Sequence, residues 1–170
     1  FTPSLPQIAT FFNISSHTSE LTVTWFLVGY AFGPLLYGPL ASRYGSTKTI
    51  IIGACIEIIG ALGCILAAPT HSFLILIIFR CIMALGASSG IVMAYAISSK
   101  LCSVNESARA MSLLSISFAI TPGLGVFIGG FLLNYFNWTS SFYLMVAYGL
   151  MIALLGSRLP EIYPAKNLKA

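Results

Sequence analysis

The sequence predicts an all-α membrane protein, and three observations carry that prediction. The first is composition: 58% of the 170 residues are hydrophobic and only 7% are charged, with twelve Phe. The mean hydropathy is +0.94, far outside the range of a soluble domain of this length. The second is that the apolar residues gather into five runs of bilayer length, since a spanning helix needs about 20 mostly apolar residues. The third is that, Arg80 apart, Lys and Arg fall only in every second connection between those runs and after the last of them. The short alternating segments of a β-barrel are absent.

The elements follow in chain order. FTPSLPQIATFF, residues 1–12, reads as the outer end of a first span that is largely missing. The charge pattern places it outside, it begins without Met, and no basic, apolar and small-residue signal pattern precedes it. Five full spans follow at about 21–40, 49–68, 73–98, 110–135 and 141–157. All are rich in Leu, Ile, Phe, Gly and Ala, and in lipid the backbone must pair its own polar groups, so helices are the expected form. Residues 1–157 are thus expected to form a helix bundle, and 158–170 to begin a polar linker with the helix breakers Pro160 and Pro164.

Orientation comes from the cations. Arg43 and Lys48 follow the first of these spans, Lys100 and Arg109 the third, and Arg158, Lys166 and Lys169 the fifth. The connections around Ser16 to Glu20, Pro69 to Ser72 and Asn134 to Ser140 hold neither Lys nor Arg. The basic connections are therefore expected on the cytoplasmic side. The net charge of +4 is then a topology signal and does not call for nucleic acid as a partner.

Within this frame, four places carry candidate chemistry. In YGPLASRYGSTKT, residues 37–49, Gly45 permits a sharp bend. Arg43 is suited to bind carboxylates or helix C-terminal carbonyls as a latch, although two cations in such a loop also serve as plain topology determinants. Arg80 lies about seven residues, or ~10 Å, inside its helix, too deep to snorkel to the interface. An intramembrane Arg costs at least ~2.5 kcal/mol, so it needs protein or a watery cavity around it, as a coupling group or as a structural Arg bonded to backbone carbonyls. Ala84 and Ala87 share its face and let another helix come close.

In the fourth span, Pro122 removes an intrahelical hydrogen bond and kinks the helix. Gly125 and Gly129 make a small-xxx-small surface for close packing. Glu57 is the only acid within a span and shares a face with Gly53, Gly60 and Cys64. A buried carboxyl there is able to carry a proton, or is a neutral, hydrogen-bonded Glu. Its depth resembles that of Arg80, which raises the expectation of a Glu57–Arg80 interaction.

GPLASRYGSTK is similar to the signature of the major facilitator superfamily, roughly G-x-L-x-D-R-x-G-R-K, through Gly38, Leu40, Arg43 and Gly45. Ser42 replaces the usual Asp, and Ser46 and Thr47 replace basic residues. Lys48 completes the charge of this loop. RCIMALG resembles the fourth-helix motif R-x-x-Q-G-x-G in Arg80 and Gly86, with Met83 and Ala84 at the Gln and Gly positions. ITPGLGVFIGG resembles the antiporter motif G-P-x-x-G-G in Gly125, Gly129 and Gly130, with Val126 at the Pro position and Pro122 four residues earlier. LPQIA, LLYGPLASRYG and NWTSSFYL resemble, more narrowly, drug:H+ antiporters of twelve spans of the bicyclomycin and chloramphenicol resistance type.

The resemblance implies the N-terminal half of a major facilitator fold, a six-helix bundle of 3+3 inverted repeats, with a second half beyond residue 170. It implies a multi-pass protein of a bacterial plasma (inner) membrane whose partners are the lipid bilayer, protons and a small-molecule substrate. Arg80 would lie near the proton and substrate site, and the family's first-helix acid would precede Phe1. The chain itself has no Asp.

Trp25, Tyr30, Met83, Met111 and Phe118 are candidates to line an adaptable apolar cavity, or are plain packing residues at helical spacing. His17 and His71 have no metal-ligand spacing, and Cys55, Cys64, Cys81 and Cys102 are expected as free thiols. No nucleotide motif, catalytic constellation or metal cluster is present in the sequence, so neither an enzyme nor a cofactor is expected. The expected function is a proton-coupled secondary transporter exporting small amphiphilic compounds or drugs by alternating access. Two alternatives are a transporter of the same fold for a dedicated metabolite or siderophore, and a truncated half-transporter that does not transport.

Overall fold

The computed structural model describes residues 1–101 and 104–158, and among them the regular elements are all helical. A 3-10 turn at Thr2–Ser4 leads into α1 (Leu5–Phe12), followed by α2 (Ser16–Tyr44), α3 (Ser46–Leu66), α4 (Phe73–Leu101), α5 (Val104–Tyr135) and α6 (Ser140–Gly156). Cys102 and the linker at 159–170, with Pro160, Pro164, Lys166 and Lys169, lie outside the described residues, as do the side chains of Lys100 and Asn105.

Each apolar run becomes a helix, and local chemistry sets the ends. α1 stops at Asn13, which takes the left-handed conformation at φ 52°. The Asn13 and Ile14 N–H groups then bond back to the carbonyls of Thr10 and Ala9 at 3.3 and 3.0 Å, the usual way of closing a helix C-terminus. Ser15 starts α2 by accepting the Thr18 N–H on its Oγ at 3.0 Å. α2 to α5 are long and apolar enough to cross a membrane. α6 has 17 residues, a length of about 26 Å against a hydrocarbon core of about 30 Å.

α2, α4 and α5 run past the apolar segments that predict them, because helical backbone continues into the polar margin until a residue stops it, whereas α3 and α6 keep close to the predicted lengths. The stretch read from the sequence as a cytoplasmic loop is therefore hardly a loop. Arg43 lies in the last turn of α2 and Lys48 in the first turn of α3, with Gly45 alone between the two helices. Gly45 has φ 92°, a backbone conformation that a side chain resists and Gly accepts freely. α5 likewise runs unbroken through Pro122. α2 holds Pro34 and Pro39 inside its length, where neighbouring groups in a bundle can satisfy the carbonyls that a proline leaves unpaired.

α4 sits between α2 and α3, and α3 has α6 on its other side. Glycine sets these approaches. A Cβ on Gly53, Gly60 or Gly63 would collide with Ser89, Met83 or Phe79 of α4, and one on Gly86 would strike the backbone at Glu57. As residue numbers rise along α3 they fall along α4, so the two helices are antiparallel. Gly29 meets Cys81 and Ala84, and Gly33 meets Leu85 and Ser88, so α2 and α4 are parallel. Gly149 and Gly156 of α6 meet Ile58 and Ile50, which again makes α6 antiparallel to α3. This is the alternation that successive crossings of one membrane require.

Two apolar clusters divide the bundle along its length. Ile8, Ala61, Cys64, Ala67, Leu76, Met83, Trp138 and Phe142 fill one end, and Tyr37, Ala41, Ile50 and Met93 the other. Arg43 and Lys48 lie at the second end, where α2 passes to α3. α5 stands to one side, touching the N-terminal turn, α4 and α6, with Phe118, Leu124, Phe127 and Phe131 exposed.

Candidate functional site

Arg80 is the natural starting point, since a buried cation must be compensated where it sits. α4 carries it into the first apolar cluster, where it is 6% exposed. Its guanidinium carbon lies 3.6 Å from the ring centroid of Phe1, 4.7 Å from that of Phe26 and 5.8 Å from that of Phe142. These distances fall within the ~6 Å over which a cation is attracted to the face of an aromatic ring. The Phe1 and Phe142 rings are themselves in contact, 5.5 Å apart and tilted by 54°. The Arg80 Nε is buried and has no hydrogen-bond partner. Among the described residues no carboxylate forms an ion pair with Arg80.

Three elements bring the rings together. Phe26 reaches Arg80 because Gly29, one turn further along α2, lets that helix close onto Cys81 and Ala84 of α4. Phe142 opens α6 and is fully buried, braced by Trp138 at 6.0 Å. Phe1 is held at the end of α5, where a Cβ on Gly129 would lie 3.2 Å from the Phe1 nitrogen. The sequence reading missed Phe1, Phe26 and Phe142. Nothing in their spacing marks them, since they come from three separate elements and Phe is abundant throughout the chain.

Glu57 is 5% exposed, on the small face of α3 predicted to be packed. That face meets α4, but the register separates Glu57 from Arg80. Glu57 lies level with Gly86, six residues beyond Arg80 or about 9 Å along α4. The expected Glu57–Arg80 interaction is therefore not formed: equal depth counted from helix ends does not survive the offset between two antiparallel helices.

The other candidates fall into separate groups. At the α2–α3 corner Gly45 is buried while Arg43 and Lys48 are exposed. The Arg43 guanidinium lies 5.5 Å from the Tyr44 ring, and Gly38 has nothing near the position of a Cβ. In α5 the predicted small-residue packing is seen only at Gly129. Gly125 and Gly130 face open space, and Pro122 is exposed. Of the predicted cavity residues, Met83 is 2% exposed, packed in the core beside Gly60, whereas Trp25 and Phe118 are 46% and 57% exposed. Tyr30 and Met111 are half-buried.

At the end of the bundle that holds Arg80, a cleft of about 480 Å³ is lined by Gln7, Thr10, Phe11, Ala68, Asn137, Trp138 and Thr139. It contains none of the predicted cavity residues. Cys55, Cys64 and Cys81 are free, as expected. His71 stacks on Phe11 at 4.9 Å, and among the described residues no group of His, Cys, Asp or Glu is arranged to hold a metal.

Comparison with known proteins bears directly on these helices. The chain is 27% identical over 168 residues to a bicyclomycin resistance protein homolog of Haemophilus influenzae, covering 98% of this chain and 42% of that protein. It is 32% identical over 151 residues to a multidrug resistance protein of Klebsiella pneumoniae, covering 89% of this chain and 38% of the relative. An uncharacterized transporter of Bacillus subtilis is 30% identical over 170 residues, covering 98% and 42% respectively. The chain thus spans less than half the length of the curated relatives it matches. The model of the Major Facilitator Superfamily matches residues 1–169, and with apolar helices of alternating direction among the described residues, this chain belongs to the Major Facilitator Superfamily of multi-pass membrane transporters.

Proposed function

We propose that the protein containing this chain is a proton-coupled exporter of small amphiphilic compounds that works by alternating access between two helix bundles. The observation that carries the reading is Arg80, a cation buried among apolar helices with its Nε unpartnered. Intramembrane charges are costly and mark coupling or substrate pathways in membrane proteins. The drug-resistance names of the Haemophilus and Klebsiella relatives support the substrate class. Glu57, buried at a second height, is the second candidate to carry a proton. Arg43, Gly45 and Lys48 form the corner that biases which side is open, and the exposed stripe of α5 around Pro122, Gly125 and Gly130 is available to the second bundle. The membrane in question is the bacterial plasma membrane, and one charge moving through 100 mV gains about 2.3 kcal/mol there, enough for one or two protons to drive accumulation.

The test is transport by the full-length protein in inverted vesicles holding a pH gradient, followed by fluorescence as a panel of amphiphilic drugs including chloramphenicol is added. Drug-dependent collapse of the gradient is expected, and its loss in Arg80→Ala. If the protein is folded and no compound collapses the gradient, broad drug export is wrong. A transporter of the same family for one dedicated substrate is then favoured. The packing of Met83 against Gly60, where the related motif has Gln, supports that second reading, since it removes a polar group from the Arg80 helix.

A further inference from the structure

A buried Arg is ordinarily held by a carboxylate or by carbonyls, whereas here three aromatic faces surround the guanidinium at 3.6, 4.7 and 5.8 Å and Nε has no partner. We infer that Phe26 and Phe142 are positioning residues for Arg80: together with Phe1 they form a cage that fixes the guanidinium by cation–π contact. The inference rests on the reading of Arg80 as a coupling group and adds how that group is held.

The chemistry of the two ways of holding a cation differs. A carboxylate would occupy the guanidinium edge, and any incoming anion would have to displace it. Ring faces instead attract a guanidinium through their π density, with no ion pair. The cage also reports on the bundle, because its rings come from the N-terminal turn, α2 and α6, while the cation is on α4. The close approach at Gly29 fixes the height of Phe26 on Arg80, so a slide or tilt of α2 against α4 changes the cation's surroundings directly.

The experiment replaces Phe26, and separately Phe142, in the full-length protein by phenylalanines carrying one, two or three fluorines. These keep the ring and withdraw its π density. Leu at each site removes the ring altogether. Two readouts are taken: drug-driven collapse of the pH gradient in inverted vesicles, and the melting temperature in detergent. The melting series is measured in parallel in an Arg80→Met background. A stepwise fall in transport with fluorine number is expected, reaching about fivefold for the trifluorinated ring. A parallel fall in melting temperature should vanish in the Arg80→Met background.

Fluorinated proteins that transport and melt like the wild type overturn the cage. So do melting shifts of equal size in both backgrounds, which report packing alone. If the wild-type protein collapses no gradient with any drug, the export reading fails by itself, and the melting series still decides the cage. Failure of the Leu variants to fold leaves the fluorinated series, which preserves shape, to give the answer.

Discussion

Arg80 and Glu57 are both buried among the helices, yet they meet burial in different ways because different neighbours reach them. The α4 register brings aromatic rings to Arg80 and the backbone of Gly86 to Glu57. With about 9 Å of helix between them, the two side chains share no contact, and sites without shared partners act independently to within about 0.5 kcal/mol. The losses of stability in Arg80→Met and Glu57→Gln should therefore add in the double variant, as measured by denaturation in detergent. A coupling larger than about 1 kcal/mol would mean that the two groups interact after all.

Among the elements, α3 and α4 are the pair whose backbones approach most closely through glycine, and α5 is the helix with the least protein around it. The cost of a side chain should follow that difference. A Cβ at Gly60 falls on the Met83 backbone, which cannot swing aside, whereas one at Gly125 meets nothing. Gly60→Val is expected to lose at least about 2–3 kcal/mol through overpacking, seen as a lower melting temperature or as failure to accumulate in the membrane. Gly125→Val should melt within a few degrees of the wild type. Equal effects at the two positions would show that the glycines of α5 are packed as tightly as those of α3. The exposed face of α5 remains available for lipid or for another bundle, and small residues are the kind that allow helices in a membrane to come close.

The whole chain has a direction, because its ends differ in charge. The α2–α3 corner carries Arg43 and Lys48, and the α3–α4 connection at the opposite end of the bundle carries His71 but no Lys or Arg. Cytoplasmic connections collect cations, so the corner with Arg43 is expected inside. In a full-length variant whose native cysteines are replaced, Thr70→Cys should react with an impermeant thiol reagent in intact cells. Ser42→Cys should react only after the membrane is opened. Both positions are exposed, so the reverse pattern would invert the topology.

The sequence by itself determined that the chain is all-α and apolar enough for a membrane, because composition and run length are local properties. It also marked Gly45 as the turn and Arg80 as a charge in need of compensation, since the cost of each is written in a single residue and its position. The Asn13 stop, the length of α2, α4 and α5 beyond their apolar runs and the near absence of a loop at the α2–α3 corner were less legible, because hydropathy falls away before helical backbone ends. What surrounds Arg80 was decided only by tertiary structure. Phe1, Phe26 and Phe142 belong to elements far apart in the chain, and no periodicity links them. The separation of Glu57 from Arg80 was decided in the same way. Two antiparallel helices can slide past one another by whole turns without changing either sequence, and here the contacts of Gly53, Gly60, Gly63 and Gly86 fix the offset.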